Sequence, residues 1–182
     1  MMSGGSAVTI RPARPDDLAP VADVFLACWR ESYAGFLPEH VIRLYDEAGA
    51  RKVWQPAILE PAADTIVLVA EAADGSVVGV ARLGRDPGEP EAGHVFSLYV
   101  RPDAQGGGVG ARLLGAAEDR FRSEARRDAT LWVFAANVAA RSFYARQGWR
   151  PDGGERVEPA YGEPELRLRR SVRTVDGGDR EA

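Results

Sequence analysis

The stretch "SLYVRPDAQGGGVGARLLGAAEDRF", Ser97 to Phe121, runs from an apolar segment through a glycine turn into a long amphipathic segment. Val109, Leu113, Ala117 and Phe121 recur at four-residue intervals, the spacing of one helix face. The preceding "HVFSLYV", His94 to Val100, is rich in β-branched and aromatic residues and reads as a strand. Gly106, Gly107 and Gly108 in a row are entropically costly to order, so the turn must allow something that bulkier residues deny. A strand that passes through glycines into a helix leaves backbone N–H groups unpaired at the helix start. With the helix dipole these groups form an anion site, and the missing Cβ atoms let a phosphate approach.

Three phosphate-binding patterns compete for this turn. A P-loop needs Lys-Ser/Thr after its last glycine, whereas Gly110 is followed by Ala111-Arg112. Gly106, Gly108 and Ala111 formally match the dinucleotide fingerprint, which also needs an acidic residue ending the next strand. That strand, "TLWVF", ends in Ala135-Ala136-Asn137, and too little chain follows for a dinucleotide domain. The third pattern fits best. Gln105-x-x-Gly108-x-Gly110 resembles the pyrophosphate motif of the GCN5-related N-acetyltransferase (GNAT) superfamily. "LYVRPDAQ" is similar to that family's signature strand and its proline corner, and "NVAARSFYARQGW" to its downstream Asn, Phe-Tyr and Gly-Trp block.

The resemblance covers about residues 7 to 170 and implies one α/β (α+β) domain there, with flexible tails at 1–6 and 171–182. The rest of the chain agrees. "AVTIRPAR" reads as a strand, and Pro15-Asp16-Asp17 opens a helix with Leu18, Val21, Phe25, Cys28 and Trp29 on one face. Pro38 starts a second helix through Val41, Leu44 and Tyr45, whose apolar face continues through Val53 and Trp54 toward Pro56. "TIVLVAEA" and "SVVGVARLG" form a hairpin about Asp74-Gly75. "VAARSFYARQG" is a helix ended by Gly148, and "ELRLR" a last strand. The order β-α-α-β-β-β-α-β-α-β packs as a mixed, mostly antiparallel sheet flanked by helices.

The resemblance also implies roles. Backbone amides from Gln105 through Gly106, Gly107, Gly108, Val109 and Gly110 to Ala111 would hold the pyrophosphate of acetyl-CoA, the acyl donor. The signature strand Leu98-Tyr99-Val100 would pair with the pantetheine arm, and an amide near Leu98 would polarise the thioester carbonyl. Asn137 suits a helix N-cap and in the family also reaches the cofactor arm. Phe143 would be core, and Tyr144 the acid that protonates the departing thiolate. Many members place a basic Glu sixteen residues before the last motif glycine, and that position here is His94. Imidazole serves as a base near neutral pH, with Glu31 and Ser97 as the other candidates. "WRESYAGFLPEH" lies where the family builds its acceptor wall, which points to Glu31, Tyr33 and Phe36. Glu155, Glu158 and Glu163 read as a solvated loop or an acidic rim.

Bulk properties narrow the rest. The 182 residues suffice for one domain with a real core. With 45% hydrophobic and 27% charged residues the chain is globular rather than disordered, and a net charge of −4 argues against a nucleic-acid partner. Cys28 is the only cysteine, excluding an intrachain disulfide, and reads as a core thiol. His40 and His94 alone cannot build a zinc site, so no metal is expected. No stretch approaches the roughly 20 apolar residues of a membrane span, and "MMSGGSAVTI" lacks a signal-peptide pattern. A cytoplasmic N-acetyltransferase acting on a primary amine of a small molecule or peptide is the expectation, and relatives of this kind are often homodimers. A non-catalytic acyl-CoA-binding module is the alternative on the same fold, and a nicotinamide oxidoreductase the distant third.

Overall fold

The computed structural model describes residues 8–173. Strand β1 (Thr9–Pro12) leads through a tight turn at Pro15–Asp17 into α1 (Leu18–Ala27), which runs on as a wider π turn over Cys28–Ser32. Asp17 accepts from the Arg14 amide at 2.6 Å, fixing that entry. Then come α2 (Glu39–Ile42), α3 (Glu47–Leu59), β2 (Ile66–Glu71), β3 (Val77–Arg85), β4 (Gly93–Val100), α4 (Val109–Ser123), β5 (Asp128–Phe134), α5 (Val138–Arg146), β6 (Arg150–Glu158) and β7 (Glu163–Ser171).

This is the expected fold class with two changes in element order. The second helix is broken in two: Asp46 caps α3 by accepting from the Gly49 amide at 2.7 Å, and Leu44 stands exposed between the pieces. Pro56 lies inside α3 rather than ending it. The acidic segment after Trp149, read as a loop, forms the edge strand β6 paired along β7. Ser171 closes β7 and Val172 is buried in the core, both within the 171–182 segment expected as a tail. Residues 1–7 and 174–182 lie outside the described residues.

The seven strands form one sheet in the order β1-β2-β3-β4-β5-β7-β6. Every neighbouring pair is antiparallel except β4 and β5. Leu113, Ala117 and Phe121 of α4, with Tyr144 of α5 and Trp149, pack on one face. Val21, Phe25 and Trp29 of the first helix, with Trp54 of α3, pack on the other. Burying such side chains contributes roughly 1.5–3 kcal/mol each, so the two layers clamp the sheet from both sides. Gly93 marks how close α4 lies, since a Cβ there would sit 2.4 Å from the Phe121 ring. Among the described residues no helix is long and apolar enough to cross a membrane.

Candidate active site

The parallel join of β4 and β5 is short. Gly93, His94 and Val95 pair with Ala129, Thr130 and Leu131, and the pairing ends there. Beyond it β4 continues with β3 as far as Val100 opposite Gly79, while β5 continues with β7 as far as Phe134 opposite Glu165. A bulge at Phe96, where the β3 register shifts between Arg82 and Leu83, turns β4 away from β5. The two strands therefore splay into a cleft of about 910 Å³, with Leu98, Tyr99 and Val100 along one edge and Trp132, Val133 and Phe134 along the other.

Strand alternation decides which backbone groups face the gap. Arg101 N–H donates to Val78 O at 2.9 Å, so Tyr99 and Ser97 point their backbone groups to β3. Leu98 and Val100 consequently point theirs into the cleft. The Val100 carbonyl is partly occupied, accepting from Cys28 Sγ at 3.1 Å and Gln105 Nε2 at 3.0 Å. Burial pushes the Cys28 thiol up to about 12, so it stays a neutral donor. Gln105 also reaches Ser32 Oγ at 3.2 Å, bracing the corner between β4 and the first helix with its side chain.

The glycine turn lies at the open end of the cleft. Gly106 and Gly108 have φ of 79° and 81°, left-handed values that side chains with a Cβ resist. Gly108 is the residue before α4, and Val109 anchors the helix in the core. Among the described residues, no carbonyl or side chain accepts from the amides of Gly106 to Ala111. A Cβ on Gly110 would meet the Phe143 ring at 3.3 Å. The turn is thus a row of free donors at a helix N-terminus with its approach kept clear, which fits an anionic diphosphate.

Across the gap, Asn137 caps α5 by accepting from the Ala140 amide at 3.0 Å, and it lines the cleft. Phe143 and Tyr144 also line it. Phe143 packs against the core from its half-buried place beside Gly110, and Tyr144, 8% exposed, is the deeper residue of the pair. Burial raises the Tyr144 phenol far above its usual range, so the group keeps its proton at any working pH. Among the described residues no hydrogen bond consumes that proton.

The remaining expectations divide. Tyr33 and Ser97 line the cleft, and Phe36 supports Tyr33 with ring centroids 5.3 Å apart. Glu31 does not belong there: it is exposed and opens onto a separate groove with Asp23, Arg101 and Asp103. His94 does not line the cleft either. It is buried beneath Phe96, ring centroids 4.7 Å apart, and its Nδ1 lies 2.7 Å from Thr130 Oγ1 and 3.3 Å from Asp86 Oδ2. Thr130 Oγ1 donates to Asp86 Oδ2, so the lone pair of Oγ1 accepts from His94 Nδ1–H. That assignment leaves Nε2 as the basic nitrogen. Burial lowers the His94 pKa despite Asp86.

Sequence reasoning missed part of the wall. Tyr45 and Tyr161 share a hydroxyl hydrogen bond of 2.8 Å across 116 residues of chain. Of the acidic rim, Glu158 lines the cleft together with Glu165, and Arg156 binds the two at 3.0 and 2.7 Å. Glu155 and Glu163 stand outside the cleft lining. Only the aromatic content of "WRESYAGF" hinted at this arrangement, because the other residues arrive from distant strands.

Comparison with known proteins agrees with this geometry. The model of the acetyltransferase (GNAT) family matches residues 22–149. The chain is 31% identical over 152 residues to the probable N-acetyltransferase Rv2775 of Mycobacterium tuberculosis, covering 81% of this chain and 83% of the relative. It is 34% identical over 150 residues to an uncharacterised N-acetyltransferase of Archaeoglobus fulgidus, covering 80% and 95%. In fold it matches the PaiA N-acetyltransferase of Thermoplasma acidophilum, solved in complex with coenzyme A, with a TM-score of 0.69 at 20% identity over 91% of this chain and 99% of that one. A splayed sheet closed by a glycine turn, and a family match running from the first helix to Trp149, make this chain a member of the GNAT family of acetyl-CoA-dependent N-acetyltransferases.

Proposed function

We propose that this chain transfers the acetyl group of acetyl-CoA directly to a primary amine held in the same cleft. The observation that carries the reading is the β4–β5 join that opens after three residue pairs onto a helix start with free amides. The amides from Gln105 to Ala111 hold the diphosphate, with those from Gly106 onward entirely free to donate. Leu98 and the Val100 N–H pair with the amide-bearing arm as a further strand would. Asn137 adds a contact from the α5 side while it keeps its cap. The Leu98 amide faces the thioester carbonyl and stabilises the negative charge that develops there.

In the transfer a C–N bond forms as the C–S bond breaks. The amine gives up one proton and the sulfur takes one. Tyr144, a protonated phenol at the cleft wall, gives its proton to the departing sulfur and regains one from solvent after the thiol leaves. The amine proton leaves to a water in the cleft, because His94, buried beneath Phe96 outside the lining, does not reach it. Ser97, in the cleft lining, orients that water.

Calorimetric titration with acetyl-CoA, with NADH as control, tests the donor. Micromolar acetyl-CoA binding without NADH binding is expected, and no acetyl-CoA binding would sink the reading. Tyr144→Phe should keep the acetyl-CoA affinity while thiol release falls about 10²- to 10⁴-fold. Unchanged turnover would remove Tyr144 from the chemistry.

A further inference from the structure

We infer that the acceptor is an arylalkylamine: one primary amine on a short arm attached to an aromatic ring. The inference rests on the transfer reading above and names the substrate class of the same cleft.

Part of the cleft wall is built from Tyr33, Tyr45, Tyr99, Phe134 and Tyr161. They come from five separate places: the end of the first helix, the break between α2 and α3, β4, β5 and the β6–β7 turn. Tyr33 meets Phe134 edge-on at 5.8 Å, and Phe134 meets Tyr161 edge-on at the same distance. Tyr33, Tyr45, Tyr99 and Tyr161 are only half-buried and line the cleft, so each is open in part to whatever fills the bowl. Aromatic groups gain most from edge-to-face and offset contacts of this kind.

Charge argues in the same direction. A polycationic acceptor would need carboxylates free to meet several ammonium groups. Glu158 and Glu165 are the carboxylates of the cleft lining, and Arg156 already holds both. That guanidinium also lies over the Trp132 ring at 4.4 Å, which fixes it in place. Burial raises the phenols of Tyr33, Tyr99 and Tyr161, so these three rings stay uncharged across the working pH range.

The test is an acceptor panel at saturating acetyl-CoA, read as thiol release with the acetylated product confirmed by mass. 2-Phenylethylamine should exceed both butylamine and spermidine at least tenfold in kcat/KM. Tyr161→Ala should cut the 2-phenylethylamine to butylamine ratio at least threefold with acetyl-CoA affinity unchanged. Tyr161→Phe keeps the ring, loses the bond to Tyr45 and should retain the ratio. If Tyr161→Ala loses acetyl-CoA binding, Tyr33→Ala makes the same comparison at the other ring that meets Phe134. Spermidine, butylamine or a peptide N-terminus preferred over 2-phenylethylamine would overturn the inference while leaving the acetyltransferase reading intact. A protein that binds no acetyl-CoA would overturn the reading on which the inference stands.

Discussion

Replacing Gly108 by alanine isolates what the glycine turn contributes. Gly108 sits at φ 81° immediately before α4, with nothing within 4 Å of where a Cβ would be. Space is therefore not the problem; conformation is. A left-handed non-glycine residue costs about 1–2 kcal/mol. For a chain of this size each kcal/mol lowers Tm by about 2–4 °C, so Gly108→Ala should melt roughly 2–8 °C lower. If the turn instead relaxes away from the left-handed region, the amides that follow it rotate and at least one charge-assisted hydrogen bond to the diphosphate is lost. Such bonds are worth about 1.5–3 kcal/mol, or roughly 10- to 150-fold in acetyl-CoA affinity. Gly107→Ala is the control. Its φ is not left-handed, and the nearest atom to its Cβ is Ala104 O at an ordinary 3.6 Å. That variant should melt within about 0.5 kcal/mol of wild type. Differential scanning fluorimetry with and without acetyl-CoA, followed by calorimetry, reads both effects. Equal melting temperatures and equal affinities for the two variants would refute the reasoning.

Three further outcomes follow from buried groups. His94 has a lowered pKa because burial disfavours its cation. Unfolding then takes up a proton, so stability should fall as pH drops below the free imidazole value of about 6.5 and level off below the folded pKa. His94→Gln should flatten that slope in denaturant titrations, and an unaltered slope would count against the burial argument. Cys28, held up to about 12 and bonded to Val100 O, should resist iodoacetamide at pH 8 in the native protein, reacting only as the chain unfolds. Rapid native alkylation would show the thiol to be more open than its 3% exposure indicates. Gly93→Ala drives a Cβ into the Phe121 ring and should cost about 1–3 kcal/mol in chemical denaturation; a neutral result would mean that α4 can shift off the sheet freely.

What was legible in the sequence was local. The strand, glycine turn and helix from His94 to Phe121 carry their periodicity and their turn chemistry in adjacent residues, and the structure forms them there. Asn137 announced its cap in the same way. Strand β6 was illegible because nothing local makes it a strand. It is an edge strand, mostly exposed, containing Pro151, two glycines and several charges, and it exists through its pairing with β7. Charges and proline on an edge are what keep it from pairing further. The break before α3 had a signal in Asp46 and Glu47, a cap and an acidic first turn, which the apolar run through Leu44 and Val53 obscured. The partners of His94 could not be read at all: Asp86 comes from the loop before β4 and Thr130 from β5, and only the parallel pairing brings them together. Glu31 failed for the opposite reason. Its sequence neighbours line the cleft, but the helix turns its own side chain to the next groove.

The short β4–β5 join has a mechanical meaning as well. It makes the sheet a two-pronged fork, with β1 to β4 as one tine and β5 to β7 as the other, joined at a stem three residue pairs long. Any twist at the stem is magnified along Phe96 to Val100, so the separation of the tips is far softer than either tine. At the tips, the hydroxyl pair of Tyr45 and Tyr161 ties the helical layer carried by the first tine to the turn at the end of the second. The spacing between donor and acceptor is therefore set at one end by the short stem and at the other by the ring contacts and the hydroxyl pair that join the helical layer to the second tine.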